Sequence, residues 1–283
     1  NLLAGGLAAS AFVAAPGTIR RAAAAQTLRF GLSSFPPSFA PWANTGTAAE
    51  TVKLQSFRGL VGYAPNGALR PELAESWTME SPTVAVFKLR AATFHNGDPV
   101  TAEDVKFSFE SIAKPDSGAW MRAFFARFKA IEAVDAKTVR LVLAEPDATL
   151  LPSLASYDAV VVSRRSMQET PDRPAGAGPY VVTGVERGAW IKLEAFRNFY
   201  RPGLPRTPAL TFVVYADENA RVAALEAGDV DLIEYVPAFS MADIEKSRTL
   251  TLDAVEGPAS LVIFNVKDGP FKDPRVRRAL DIA

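Results

Sequence analysis

One histidine, no cysteine and a few close acid pairs are what this 283-residue sequence offers for chemistry. A serine nucleophile needs a histidine base that an acid holds in place. His95 is the one candidate base, and no G-x-S-x-G elbow accompanies it. As a metal ligand, His95 has Asp98, Glu103 and Asp104 near it in sequence. The last two, however, stand where acids favour the positive end of a helix. Absence of cysteine removes disulfides, zinc–thiolate sites and a thiol nucleophile. The pairs Asp229/Asp231 and Glu72/Glu75 fit solvated faces better than a proton-transfer couple. Gly176-Ala177-Gly178 invites a phosphate-loop reading, but Pro179 and a strand-like stretch follow where a helix N-terminus is needed. No catalytic residue, metal ligand or cofactor is expected.

The elements that would carry these residues are legible around residues 94–109, FHNGDPVTAEDVKFSF. Asn96-Gly97 is a turn pair, because glycine takes positive φ without steric cost and asparagine tolerates it. Pro99 cannot donate to a strand ladder, so a strand ending at Phe94 stops there. Thr101 fits a helix N-cap with Asp104 as its capping-box partner. Val105, Phe109 and Ile112 then recur on one face, and Pro115 closes the helix.

Upstream, strands are predicted at residues 27–32 and 84–89, a helix over 50–61 and a turn at Pro65-Asn66-Gly67. Residues 120–128 read as an aromatic, helical packing stripe. Residues 131–134 and 138–143 read as a hairpin about Asp135-Ala136-Lys137, and 148–156 as a short helix before a buried strand at 159–162. The Pro- and Gly-dense residues 169–178 read as a linker. A second hairpin spans 180–185 and 190–196, with a further strand at 210–215. Asp217 caps a helix that Gly228 ends, followed by a strand at 230–235. Strands are also predicted at 249–254 and 261–266. Asp273 with Pro274 at N1 opens a last helix.

Composition narrows the class. The 31 basic and 31 acidic residues balance, so no overall field or basic patch favours nucleic acid. Hydrophobic content of 48% is that of a globular chain, not a disordered one. Residues 2–15 are apolar and uncharged, too short for the ~20 residues that span a bilayer, and Ala23-Ala24-Ala25 offers an A-x-A cleavage site. Residues 1–25 are therefore expected to be part of a signal peptide, and Asn1-Leu2-Leu3 would suit the residues after a twin-arginine motif.

Several blocks, in order, resemble one family. They are Pro71-Glu72-Leu73-Ala74-Glu75-Ser76-Trp77, the 94–109 stretch, Gly176-Ala177-Gly178-Pro179-Tyr180 and Arg197-Asn198-Phe199-Tyr200. Ala220-Arg221-Val222-Ala223-Ala224-Leu225-Glu226-Ala227-Gly228-Asp229-Val230-Asp231 and the Pro270-to-Leu280 block complete the set. They resemble the extracellular solute-binding proteins of ABC importers in the peptide/nickel class, family 5. The resemblance implies an α/β, periplasmic-binding-protein-like fold (type II, cluster C) of two lobes with an inserted α+β domain. On that pattern, residues 26–47 open lobe one and 48–174 form the insert. Residues 175–266 return to lobe one, and 267–283 begin a second lobe, so the chain is expected to be truncated at its carboxyl end.

The resemblance further implies a secreted, periplasmic, monomeric binder, not an enzyme, that hands a small solute to the permease subunits of its importer. A di- or oligopeptide is the first choice of ligand. A nickel chelate, an opine or an oligosaccharide is the alternative, and a secreted hydrolase is the rival from another class. Carried over, the ligand contacts are Trp42, Asn44, Thr45, Gly46 and Thr47 in the early loop, and Gly257, Pro258, Ala259, Ser260 and Leu261 before a later strand. Ala40 departs from the pattern, where many members carry Asp. Both loops are small and able to offer backbone N–H and C=O groups to a polar guest.

Overall fold

A computed structural model describes residues 27–43, 46–253 and 266–282, the side chains of the last three excepted. Residues up to Pro237 form one compact unit and those from Ala238 onward another. The expected signal peptide lies outside the described residues, as does most of the strand predicted at 261–266.

The first unit opens with β1 (Thr27–Leu32), α1 (Thr47–Ser56), β2 (Arg58–Gly59), β3 (Val61–Tyr63) and β4 (Leu69–Pro71). It continues through β5 (Ala74–Ser81), β6 (Val84–Leu89), α2 (Ala102–Ala113), α3 (Arg122–Phe125), β7 (Phe128–Asp135) and β8 (Thr138–Leu143). Then come α4 (Leu150–Leu154), β9 (Val160–Val161), α5 (Arg164–Glu169), β10 (Tyr180–Glu186) and β11 (Trp190–Ala195). The unit closes with β12 (Ala209–Val214), α6 (Glu218–Ala227) and β13 (Leu232–Ile233). The second unit contains α7 (Ala238–Lys246) and α8 (Pro274–Ile282).

Two larger sheets organise the first unit. One has the order β10-β11-β12-β1-β13, with β1 parallel to both β12 and β13. The other, β5-β6-β8-β7, is antiparallel throughout. The chain thus leaves the first sheet after Leu32, builds the second, and re-enters the first at Tyr180. Each sheet has its own core. Leu32, Val52, Ile191, Leu193 and Phe212 pack on the first. Phe87, Phe94, Val105, Phe109, Ile112 and Leu141 pack with the second.

The capped helix α2 forms as its residues require. Thr101 and Asp104 close a capping box, Gly97 sits at φ 86°, and Val105, Phe109 and Ile112 are fully buried. Each such burial contributes about 1.5–3 kcal/mol, more than the cap itself.

Several boundaries differ from the sequence-based expectation. The helix expected over 50–61 ends at Ser56, and the chain turns into β2 and β3. A side chain at Gly59 would stand 2.7 Å from the carbonyl of Ala159, so β2 and β9 meet only because that position is bare. Within residues 120–128 the helix is the single turn α3. Its aromatics pack as expected: Phe125 packs against Phe109, Phe124 and Phe128, and Phe124 against Phe128, at ring-centre distances of 4.5–5.7 Å, and Phe128 already belongs to β7.

The expected linker at 169–178 is in its second half a buried seam. Gly178 N–H donates to Ser56 and His95 N–H to the Gly176 carbonyl. A Cβ on Gly176 would lie 2.1 Å from the Ser56 oxygen, and one on Gly178 2.4 Å from that of Gln55. The two glycines are required by this contact with the end of α1, not by any phosphate. The strand expected at 230–235 shortens to Leu232–Ile233, and no strand forms at 249–253. The helix α7 was not anticipated from sequence.

Candidate functional site

Parallel strands place functional groups where their carboxyl ends emerge, and ligands of open α/β sheets bind in the crevice outside those ends. Here β1, β12 and β13 end side by side, followed by Ser33, Tyr215 and Glu234-Tyr235. Arg221, on the first turn of α6, holds them together. Its Nε donates to the Glu234 carbonyl at 3.1 Å, Nη1 to Tyr215 at 2.8 Å and Nη2 to Tyr235 at 3.1 Å. The residue is 1% exposed and forms no ion pair with any acid among the described residues. Gly31 makes room for it, since a Cβ there would meet Arg221 Cγ at 3.5 Å and Ile233 at 3.0 Å.

Glu234 closes the other side. One of its oxygens accepts both the N–H of Ser33 at 2.8 Å and the Ser33 hydroxyl at 2.6 Å. Tyr235 follows at φ 51°, the one non-glycine positive φ among the described residues, with its ring largely exposed. That turn aims its phenol at Thr47, whose hydroxyl accepts it at 2.7 Å. A strained φ of this kind costs roughly 1–3 kcal/mol, which the Arg221 clamp on the same residue's carbonyl offsets. At the far end of the same strands, Asp231 pairs with Arg29 at 2.8 Å, and that hydrogen bond holds the Asp231 carboxyl below its ordinary range.

Of the expected contact residues, three are described. Thr47 opens α1 beside Tyr235, and Gly46 is exposed at φ 97° as the N-cap of that helix. No side chain among the described residues caps α1. Trp42 is buried, 7% exposed, and its indole N–H donates to the Val160 carbonyl at 3.0 Å, so it anchors the loop from the core side. Asn44, Thr45, Gly257, Pro258, Ala259, Ser260 and Leu261 lie outside the described residues. Ser33, Arg221, Glu234 and Tyr235 escaped the sequence reading. For Arg221 alone the signal was the 220–231 block, where an arginine near a helix's start runs against the helix dipole.

His95 is placed away from this end. Its Nε2 meets the Gly178 carbonyl at 3.0 Å, its ring packs on Phe196, and burial pushes its pKa below the ordinary value. That is a histidine tying a seam.

Residues 68–283 match the family described as "Bacterial extracellular solute-binding proteins, family 5 Middle". The chain belongs to this family. Among family 5 relatives, it is 29% identical over 255 residues to the glutathione-binding protein GsiB of Pectobacterium atrosepticum, covering 87% of this chain and 49% of that one. It thus spans about half the length of the curated relatives it matches. Among solved structures it resembles AgaA of A. tumefaciens R10 in complex with agropinic acid (40% identity, TM-score 0.77, 79% of this chain and 46% of that one). It also resembles MoaA of the same organism in complex with mannopinic acid (29% identity, TM-score 0.82, 90% and 54%). The α/β fold expected for a family 5 protein is the fold observed.

Proposed function

We propose that this chain supplies the first wall of a solute-binding site, at the carboxyl ends of β1, β12 and β13, in the periplasmic component of an ABC importer. On this reading residues 26–47 and 175–266 are lobe one, 48–174 the insert and 267–283 the start of lobe two. The departure of the chain from the first sheet between Leu32 and Tyr180 supports that division. Closure of a second wall would enclose the solute and turn occupancy into a shape the permease subunits read.

The solute fits a small organic molecule bearing a carboxylate, with a di- or oligopeptide and an opine as its two forms. One observation carries this: Tyr235 and Thr47 meet at the positive N-terminus of α1, with the buried Arg221 cation adjoining. Such an arrangement favours an anionic oxygen. The names of the similar proteins point the same way, to glutathione, agropinic acid and mannopinic acid.

Calorimetry on the whole protein, second half included, tests the reading with a dipeptide, glutathione and agropinic acid. Tyr235→Phe should weaken the tightest of them at least fivefold, and amidating its carboxylate should weaken it further. Indifference to both changes would move the site elsewhere. Catalytic turnover of any of these solutes, rather than stoichiometric binding, would favour a hydrolase.

A further inference from the structure

Off the opposite, amino ends of the central strands of the five-stranded sheet stands a second concentration of charge. Thr27 pairs with Ala209 and Leu32 with Val214, so the connection from β11 to β12 lies off the amino ends of β1 and β12, away from Ser33 and Tyr235. There Glu72, whose side chain is 4% exposed, receives three guanidiniums. Arg70 approaches to 2.8 Å, Arg201 to 2.9 Å and Arg58 to 3.8 Å. The Tyr200 phenol donates to the same carboxylate, and burial, reinforced by Glu72, drives its pKa up so that it keeps its proton.

Three cations about one anion leave an excess of two charges here. Beside them a hollow of about 400 Å³ is lined by Arg58, Arg70, Arg201 and the exposed Arg206, with Phe199 and Pro179 among its apolar walls. No acidic residue lines it, and Arg206 makes no ion pair among the described residues. Nη2 of Arg58 and Nη1 of both Arg70 and Arg201 have no protein acceptor among the described residues. Guanidinium forks match the oxygens of phosphate in pairs, and desolvation strengthens such contacts. A monovalent carboxylate would leave most of this charge unmatched, whereas a phosphate brings about two negative charges.

We infer that this hollow binds a phosphate group, either as a free phosphorylated solute or as the headgroup of a lipid. The site is independent of the solute site at the carboxyl ends of the same strands. Two arms separate the sources. In the first, inorganic phosphate is titrated into the full chain by calorimetry, against chloride at matched ionic strength. In the second, the chain is floated with phosphatidylcholine vesicles with and without phosphatidic acid.

Arg206→Gln removes a guanidinium that takes no part in the Glu72 network, so the fold should be retained, as circular dichroism would verify. Binding that falls at least fivefold in Arg206→Gln and is partly restored in Arg206→Lys is the expected result. Seen with inorganic phosphate alone it assigns the free anion, and seen with vesicles it assigns the headgroup. Binding absent from both arms, equal for chloride and phosphate, or unchanged in Arg206→Gln would overturn the inference.

Discussion

Glu234 accepts the backbone N–H and the hydroxyl of Ser33 through one carboxylate oxygen, joining residues 201 positions apart at the ends of two adjacent parallel strands. The contact fixes the exit of β1 against that of β13, and with it the direction in which Tyr235 leaves the sheet. Hydrogen bonds to a charged acceptor contribute about 1.5–3 kcal/mol each when well placed. Glu234→Ala should therefore destabilise the first unit by about 2 kcal/mol in urea unfolding, and Glu234→Gln by about half that. Equal midpoints for the two variants and the parent would mean the carboxylate is solvated and idle.

Arg221 is the companion test. Replacing it by methionine keeps much of the stem packing but strips three strand-end carbonyls of their donor. Unsatisfied buried polar groups cost about 1–3 kcal/mol each, so a total loss of about 3 kcal/mol or more is expected. Amide exchange should quicken first at Tyr215 and Tyr235, next to the severed bonds. Uniform acceleration across α2 and β6 instead would mean that the clamp acts globally.

The buried seam predicts a contrast between glycines. Gly176→Ala forces a methyl to within 2.1 Å of the Ser56 oxygen, so α1 or the seam must move. Gly228→Ala faces open space and pays only for a left-handed φ of 75°, roughly 1 kcal/mol. Thermal melts should rank Gly176→Ala far below Gly228→Ala. The reverse order would remove the seam from the core.

A pH profile isolates His95, the sole histidine of the chain. Its folded pKa lies below the ordinary 6.5 because burial disfavours the cation. Above 6.5 both folded and unfolded histidine are neutral, and stability is full. As pH falls, the unfolded state takes up the proton first, so stability declines between 6.5 and the lower folded value. The slope should approach ~1.4 kcal/mol per pH unit, and His95→Gln should flatten it. Urea midpoints from about pH 5.5 to 7.5 measure both; a parent profile as flat as the variant's would contradict the burial argument.

Gly257, Pro258, Ala259, Ser260 and Leu261, expected from the family resemblance to contact the solute, give a separate test. In the whole protein, Ala259→Arg should weaken solute binding more than tenfold, about 1.4 kcal/mol, with little change in melting temperature. Unaltered affinity would take these residues out of the site.

Local chemistry was readable in advance wherever the cause lay within a few residues. The Thr101–Asp104 box, the Asn96-Gly97 turn, the Asp217 cap and the Gly228 stop depend on neighbours along the chain, and each stands where the sequence predicts. The block pattern likewise carried the family, because its spacing is a property of the sequence alone. What only tertiary structure decided is contact between distant segments. Residues 57–61 read from sequence as the end of a helix, and pairing of Arg58-Gly59 with Val160-Val161 made the stretch strand instead. Gly176 and Gly178 looked like a loop until packing against α1 made their lack of side chains the requirement. Arg221 had no role legible in the sequence, and three strand-end carbonyls converging on it supply one. Spacing along a chain does not encode which carbonyls a buried cation will meet. That depends on which strands the sheet sets side by side.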